Sequence, residues 1–219
     1  MSILITLITN DNVHKIIQGQ KDTALNDHGL AQADITGAYL RHQNIVFDEI
    51  WSSDLQRAYK TACIIAEHQP EPITVQTDSR LRERFLGDLQ GKRWTPNADQ
   101  STAEPPTEVL ARLLSFWTDL TTRLDSNPST NPRRILLVSH GAALRTLVQL
   151  GLRPTYAVDP SVPQPIVFGN CSITNIEHSP RRLILCGGDS VHLDSSLASK
   201  TKVDESKDSV DDLLPETRV

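Results

Sequence analysis

The sequence predicts an α/β domain, a three-layer α/β/α sandwich around a mostly parallel central sheet, and three observations carry that expectation. Strand-like and helix-like segments alternate along the chain, the pattern that feeds a parallel sheet through helical crossovers. Two largely apolar runs, ILITLI at 3–8 and RILLVS at 134–139, read as strands covered on both faces. And 219 residues hold one sizeable domain with a tail but are thin for two.

The elements follow in order. After the first strand, Asn26-Asp27-His28-Gly29 is a turn in which Asn26 or Asp27 caps a helix. Leu30, Ala33, Gly37 and Leu40 then recur at helical spacing. Residues 46–51 form a second strand, and Asp54 is placed to cap a helix carrying Ala58, Ala62, Ile65 and Ala66. Residues 73–75 are short and β-like. The Pro-, Thr-, Asn- and Glu-rich stretch 95–107 is a surface loop leading into a helix over 109–124, with Leu113, Phe116, Trp117 and Leu120 on its apolar side. The strand 134–139 precedes a helix through Leu144, Leu147 and Leu150, and 166–168, 171–176 and 183–186 are late strands. Loops at the carboxyl ends of such strands are where sites are usually built.

Composition narrows the function. Lys plus Arg number 22 against 27 Asp plus Glu, a formal net charge of -5. That balance argues against nucleic acid as a partner while leaving room for a local basic pocket. No run approaches the roughly 20 apolar residues of a membrane span. The first ten residues lack the basic flank and cleavage end of a signal peptide, so the expected setting is cytoplasmic, with no membrane partner. Cys63, Cys171 and Cys186 form no CxxC pair and read as reduced thiols among apolar neighbours. His14, His28, His42, His68, His178 and His192 fall in turns, on polar helix faces or in the tail, where exposure is expected. No HxH or HExxH spacing suggests a metal. No Phe, Trp or Tyr follows Phe168, and from Asp194 onward seven acids stand against four bases. Such a stretch buries too little apolar area to offset its ordering entropy. The expected division is a domain over 1–190 and a disordered acidic tail over 191–219.

Three segments at strand ends carry groups that suit an anion. Ser52-Ser53-Asp54-Leu55-Gln56-Arg57 offers hydroxyls, a helix N-terminus and an Arg one turn in, a set that suits phosphate or, more blandly, a capped helix with an exposed Arg. Arg80-Leu81-Arg82-Glu83-Arg84, followed by Gly87 and Gly91, would in extended form face its three arginines one way and Glu83 the other. A carboxylate among cations is normally depressed in pKa, so an acid role for Glu83 needs burial or a charged substrate. Ser139-His140-Gly141 puts a His at the top of a buried strand where a helix starts, a position for an active-site cleft.

Together these segments resemble the histidine phosphatase superfamily, with its phosphoglycerate-mutase-like fold, over about residues 1–187. The run Gln18-Gly19, Asp22, Leu25, Gly29, Gln32, Ala33, Gly37, Leu40 matches one family pattern. Ser52 to Ala58 with Thr61-Ala62, Arg80 to Arg84 with Gly87 and Gly91, and Val138-Ser139-His140-Gly141 match three others, in order and at family spacing. Lys15 to Gln20 is especially similar to TIGAR-type fructose-2,6-bisphosphatases. The resemblance implies a phosphatase of sugar or glycerate phosphates in which a His of an Arg-His-Gly motif is phosphorylated. It further implies Arg57 as a second phosphate-holding Arg, Glu83 as the acid for the leaving alkoxide and His140 as the second His. Gln18, Gly19, Arg82 and Gly141 would line the substrate, and no metal or other cofactor is implied.

The chain departs from that pattern at the first strand, which continues Leu7-Ile8-Thr9-Asn10-Asp11-Asn12. Aligned from the strand, Thr9 and Asn10 stand in the places of the Arg and the nucleophilic His. Aligned back from Gln18-Gly19, those places fall on Ile5 and Thr6, and Asn12 then matches a phosphate-contacting Asn. The two alignments differ by about four residues, so the loop is read as shortened. Neither supplies a nucleophile, and His14 lies several residues past the strand end. The expectation is weak or absent phosphatase activity. The alternatives are an active phosphomonoesterase with a non-standard nucleophile, a module binding a phosphorylated ligand or protein partner, and a transcript that has lost the segment.

Overall fold

The computed structural model describes residues 16–126, 131, 133–178 and 181–193, and the backbone of the first strand. The elements are β1 (Ser2–Leu7), α1 (Asp27–His42), β2 (Glu49–Ser52), α2 (Gln56–Glu67), β3 (Val75–Thr77), α3 (Pro106–Ser126), β4 (Arg134–Ser139), α4 (Gly141–Thr146), β5 (Ala157–Val158), β6 (Ile173–Glu177) and β7 (Leu183–Asp189). Short 3₁₀ turns fall at Ser79–Leu81 and Gly87–Leu89, and α4 runs on as a π-helix over Leu147–Leu152.

The sheet order is β3-β2-β4-β1-β6-β7-β5. β3, β2, β4 and β1 run parallel, β6 opposes β1 and β7, and β5 lies parallel to β7. The mostly parallel sheet expected from the sequence is thus present. β4 at its centre shows why both faces need helices. Ile135 and Leu137 enter one cluster with Leu113, Phe116 and Leu120 of α3 and Leu144 of α4. Leu136 and Val138 enter another with Leu40 of α1 and Ala58, Ala62 and Ile65 of α2. A strand's side chains alternate in direction, so an unbroken apolar run is stable only where both faces are covered.

Local signals set several boundaries. The Asn26 side chain accepts the Gly29 amide at 2.8 Å and caps α1. Val109, Leu113, Phe116, Trp117, Leu120 and Leu124 form the buried stripe of α3. Other expectations need correction. Asp54 does not cap α2; Asp22, from a segment distant in sequence, accepts the Gln56 amide at 2.7 Å instead. Residues 166–168 are not a strand: Ile166 and Phe168 are buried in the core from an irregular connection, and burial alone made them look β-like. His178 and His192, expected at the surface, are buried. The His178 ring lies between the Tyr156 hydroxyl and Asp125, and His192 stacks on Tyr39 with its Nε2 3.1 Å from Thr36 Oγ1. Residues 191–193 are helical and Leu193 packs near Ala33, Ile64 and Cys171, so these three, assigned to the tail by their polar surroundings, close the domain. The remainder of the predicted tail lies outside the described residues. Among the described residues no helix is long and apolar enough to cross a membrane, and no cluster of side chains could hold a metal.

Candidate active site

The register brings three strand ends together: Leu7 of β1 pairs with Ser139, and Ser52 of β2 with Val138. Ser53 therefore leaves β2 beside His140, which leaves β4. Ser53 Oγ and His140 Nε2 are 2.9 Å apart, and both residues are fully buried. His140 takes extended backbone at the N-cap of α4, and its ring meets the Ser53 hydroxyl beside the ends of β2 and β4. Ser139 Oγ donates to the Leu81 carbonyl at 2.7 Å and pins the segment that carries Glu83.

Glu83 is held at both ends. Its carboxylate accepts the Arg84 amide at 2.7 Å, the Ala143 amide at 3.0 Å and the Ala142 amide at 3.1 Å. Its carbonyl accepts from Gln20 Nε2 and from Arg112 Nη2, each at 3.0 Å. Arg57, in the first turn of α2 and 1% exposed, donates through Nη2 to the Gly19 carbonyl at 2.7 Å and through Nη1 to the Lys21 carbonyl at 2.9 Å. Gly19 has φ +52°, and a Cβ there would stand 2.4 Å from Gln90 Oε1. A side chain at this position would both strain the backbone and push the loop from its neighbour.

Burial dominates the electrostatics. It pushes the Glu83 carboxyl above its ordinary value, against the opposing pull of its backbone hydrogen bonds and of the Arg57 cation. The same desolvation, with the Arg57 and Arg112 charges, holds His140 well below the usual imidazole range. The site therefore combines an imidazole and a carboxyl that burial shifts toward their neutral forms, with the Arg57 guanidinium near enough to act on both. Such an arrangement suits a phosphoryl dianion, which Arg57 would neutralise while Glu83 offered a proton to a departing oxygen.

The structure thus brings Arg57, Glu83, His140 and Ser53 together, with Gly141 buried beside His140 and Gly19 behind Arg57. Gln18 enters by the same loop, its Nε2 buried without a hydrogen-bond partner among the described residues. Arg82 is engaged by a carboxylate. Its fork is closed on Asp54, with Nε and Nη2 at 2.7 and 2.6 Å from the two carboxylate oxygens, so its charge is already met. The three arginines do not share a face either, because the 3₁₀ turn at Ser79–Leu81 breaks the extended repeat. Arg80 turns to Asp78 and Asp119, and Arg84 to the Glu104 carbonyl and Gln100. Thr9, Asn10, Asn12 and His14 lie outside the described residues.

One residue was missed. Arg112 donates to the carbonyls of Arg80, Arg82 and Glu83 and pairs with Glu104, clamping the Glu83 segment to α3. The signal was present: Arg112 is three residues after Val109 and four before Phe116, within the apolar stripe, where a cation needs a reason to be.

Fold and the placement of these side chains point to one class of protein, a domain of the histidine phosphatase family. Residues 8–186 match the model of the histidine phosphatase superfamily (branch 1), and the chain belongs to that family. Among its relatives are the broad-specificity phosphatase YOR283W of Saccharomyces cerevisiae, 33% identical over 64% of this chain and 65% of that protein, and the probable phosphatase C1687.21 of Schizosaccharomyces pombe, 30% identical over 88% and 94%. The fructose-2,6-bisphosphatase TIGAR of Xenopus tropicalis is 44% identical, but over only 38% of this chain and 31% of its own length. Among solved structures, mycobacterial glucosyl-3-phosphoglycerate phosphatase in complex with VO3 superposes with a TM-score of 0.69 at 28% identity, covering 86% of this chain and 99% of that one.

Proposed function

We propose that this chain binds phosphomonoesters, with a sugar or glycerate phosphate as the ligand class, in the pocket around Arg57, Glu83 and His140, and that its covalent turnover is weak or absent. The observation that carries the binding is the buried juxtaposition of a guanidinium, a neutral imidazole and a carboxyl of raised pKa at the sheet edge. Arg57 orients and neutralises the phosphoryl group, the imidazole hydrogen-bonds to one of its oxygens, and Glu83 protonates the leaving oxygen. The covalent step needs a nucleophile in line behind phosphorus, and the segment after β1 reads Thr9-Asn10 where the family carries Arg-His. In other enzymes loss of the nucleophile costs on the order of 10⁶ in turnover, with a remainder from electrostatics and positioning.

The binding test is thermal: inorganic phosphate or fructose-2,6-bisphosphate raises the melting temperature of the wild type by mass action, and Arg57→Ala abolishes the shift. An unchanged shift in the variant refutes the pocket. Turnover is measured on fructose-2,6-bisphosphate, 2,3-bisphosphoglycerate and p-nitrophenyl phosphate beside His140→Ala. The second reading, an active phosphomonoesterase, is favoured by the name of the S. cerevisiae relative. Robust hydrolysis that disappears in His140→Ala establishes it in place of the first.

A further inference from the structure

A serine hydroxyl carries one proton, and the surroundings of Ser53 decide where it goes. The Leu55 amide donates to Ser53 Oγ at 3.3 Å, and His140 Nε2 lies 2.9 Å from the same oxygen. The other ring nitrogen, His140 Nδ1, is buried without a hydrogen-bond partner among the described residues. A neutral imidazole has one N–H and one bare lone pair, so only two arrangements are available.

If Nε2 held the proton, Ser53 Oγ would accept from both Leu55 and His140, and its own proton would have no acceptor among these partners. Nδ1 would then bury a bare lone pair in a pocket built for an anion, where it repels rather than binds. If Nδ1 holds the proton, only one group, the Nδ1–H itself, is left without a partner among the described residues. The Leu55 amide gives to Ser53 Oγ, Ser53 gives to Nε2, and Nδ1–H remains as a donor. We infer that Ser53 is the positioning residue that fixes His140 in its Nδ1–H tautomer, so that the uncharged ring offers an N–H to a phosphoryl oxygen. The tautomer belongs to the free protein, and its use on phosphate rests on the function proposed above.

The two parts separate in one experiment. Protein labelled with ¹⁵N at histidine is examined at pH 7 by long-range ¹H–¹⁵N correlation, with His140→Asn identifying the signals of this ring. The wild type shows Nδ1 protonated and Nε2 bare; a wild-type ring protonated at Nε2 overturns the inference without any variant having to fold. Ser53→Ala removes the donor and moves the ring toward the Nε2–H form, and Ser53→Thr, which keeps the hydroxyl, restores it. An unchanged ring in Ser53→Ala also overturns the inference. Titrated inorganic phosphate shifts the Nδ1 signal of the wild type and binds Ser53→Ala about tenfold more weakly. A wild type with the Nδ1–H ring that ignores phosphate leaves the tautomer standing and removes the phosphate-binding function.

Discussion

Replacing Arg112 with Met isolates the clamp that holds the acid-bearing segment, because Met keeps the stem and helix propensity while deleting the guanidinium. Arg112 makes five hydrogen bonds: two to the Glu104 carboxylate at 2.7 and 3.1 Å, and three to the carbonyls of Arg80, Arg82 and Glu83 at 2.7, 2.7 and 3.0 Å. Bonds with a charged partner contribute about 1.5–3 kcal/mol each, but members of one network do not add. The larger cost is what stays behind, a carboxylate only 13% exposed that has lost its cation. Breaking a buried pair in this way costs about 3–5 kcal/mol. The lower end is expected, because Glu104 keeps the Phe85 amide at 3.0 Å. At about 2–4 °C per kcal/mol for a chain of this size, the melting temperature falls by on the order of 10 °C. Arg112→Lys restores charge but cannot fork onto several acceptors, and recovers less than half. Thermal unfolding followed by circular dichroism measures both variants, and Glu104→Gln completes a double-mutant cycle. A loss below about 2 °C in Arg112→Met, or full recovery by Lys, refutes the clamp.

Other perturbations probe separate links between sequence and structure. Gly87 has φ +51°, and a Cβ would stand 2.4 Å from the Thr102 carbonyl oxygen. Gly87→Ala is therefore expected to cost about 2 kcal/mol or more in urea unfolding, and a neutral result removes the argument. Tyr156→Phe strips a partner from both Trp117 Nε1 and the buried His178 ring. It should cost about 1–3 kcal/mol in the same assay, and a smaller loss shows that the rings need only packing. His140 binds fewer protons folded than unfolded, because its folded pKa lies well below 6.5. Its contribution to stability is therefore present above that value and is lost as pH falls from there toward the folded pKa. A melting temperature that declines as steeply below pH 6.5 in His140→Asn as in the wild type assigns the decline to other groups.

The architecture was legible because its signals are local. The runs ending at Ile8 and Ser139 declared buried parallel strands, Asn26 or Asp27 declared a helix start, and the spacing of Leu113, Phe116 and Leu120 declared the buried face of α3. Arg57, Glu83 and His140 were legible because each follows an element end that sequence pattern can place. Partnership was not legible, because it depends on distance in space. Asp54 looked like a cap by position, yet folding brings Arg82 to it and leaves capping to Asp22. Arg82 looked like a pocket cation, yet a facing carboxylate closes its fork. His178 and His192 looked solvated in polar surroundings, yet the fold brings rings and a hydroxyl around them. By itself the sequence determined which backbone conformations were favourable and which faces had to be buried, since propensity and periodicity act over a few residues. Only the tertiary structure decided which charges are neutralised and which pKa values move. Those depend on burial and on groups such as Arg57 and Glu83, 26 positions apart in the chain, that act on each other across space.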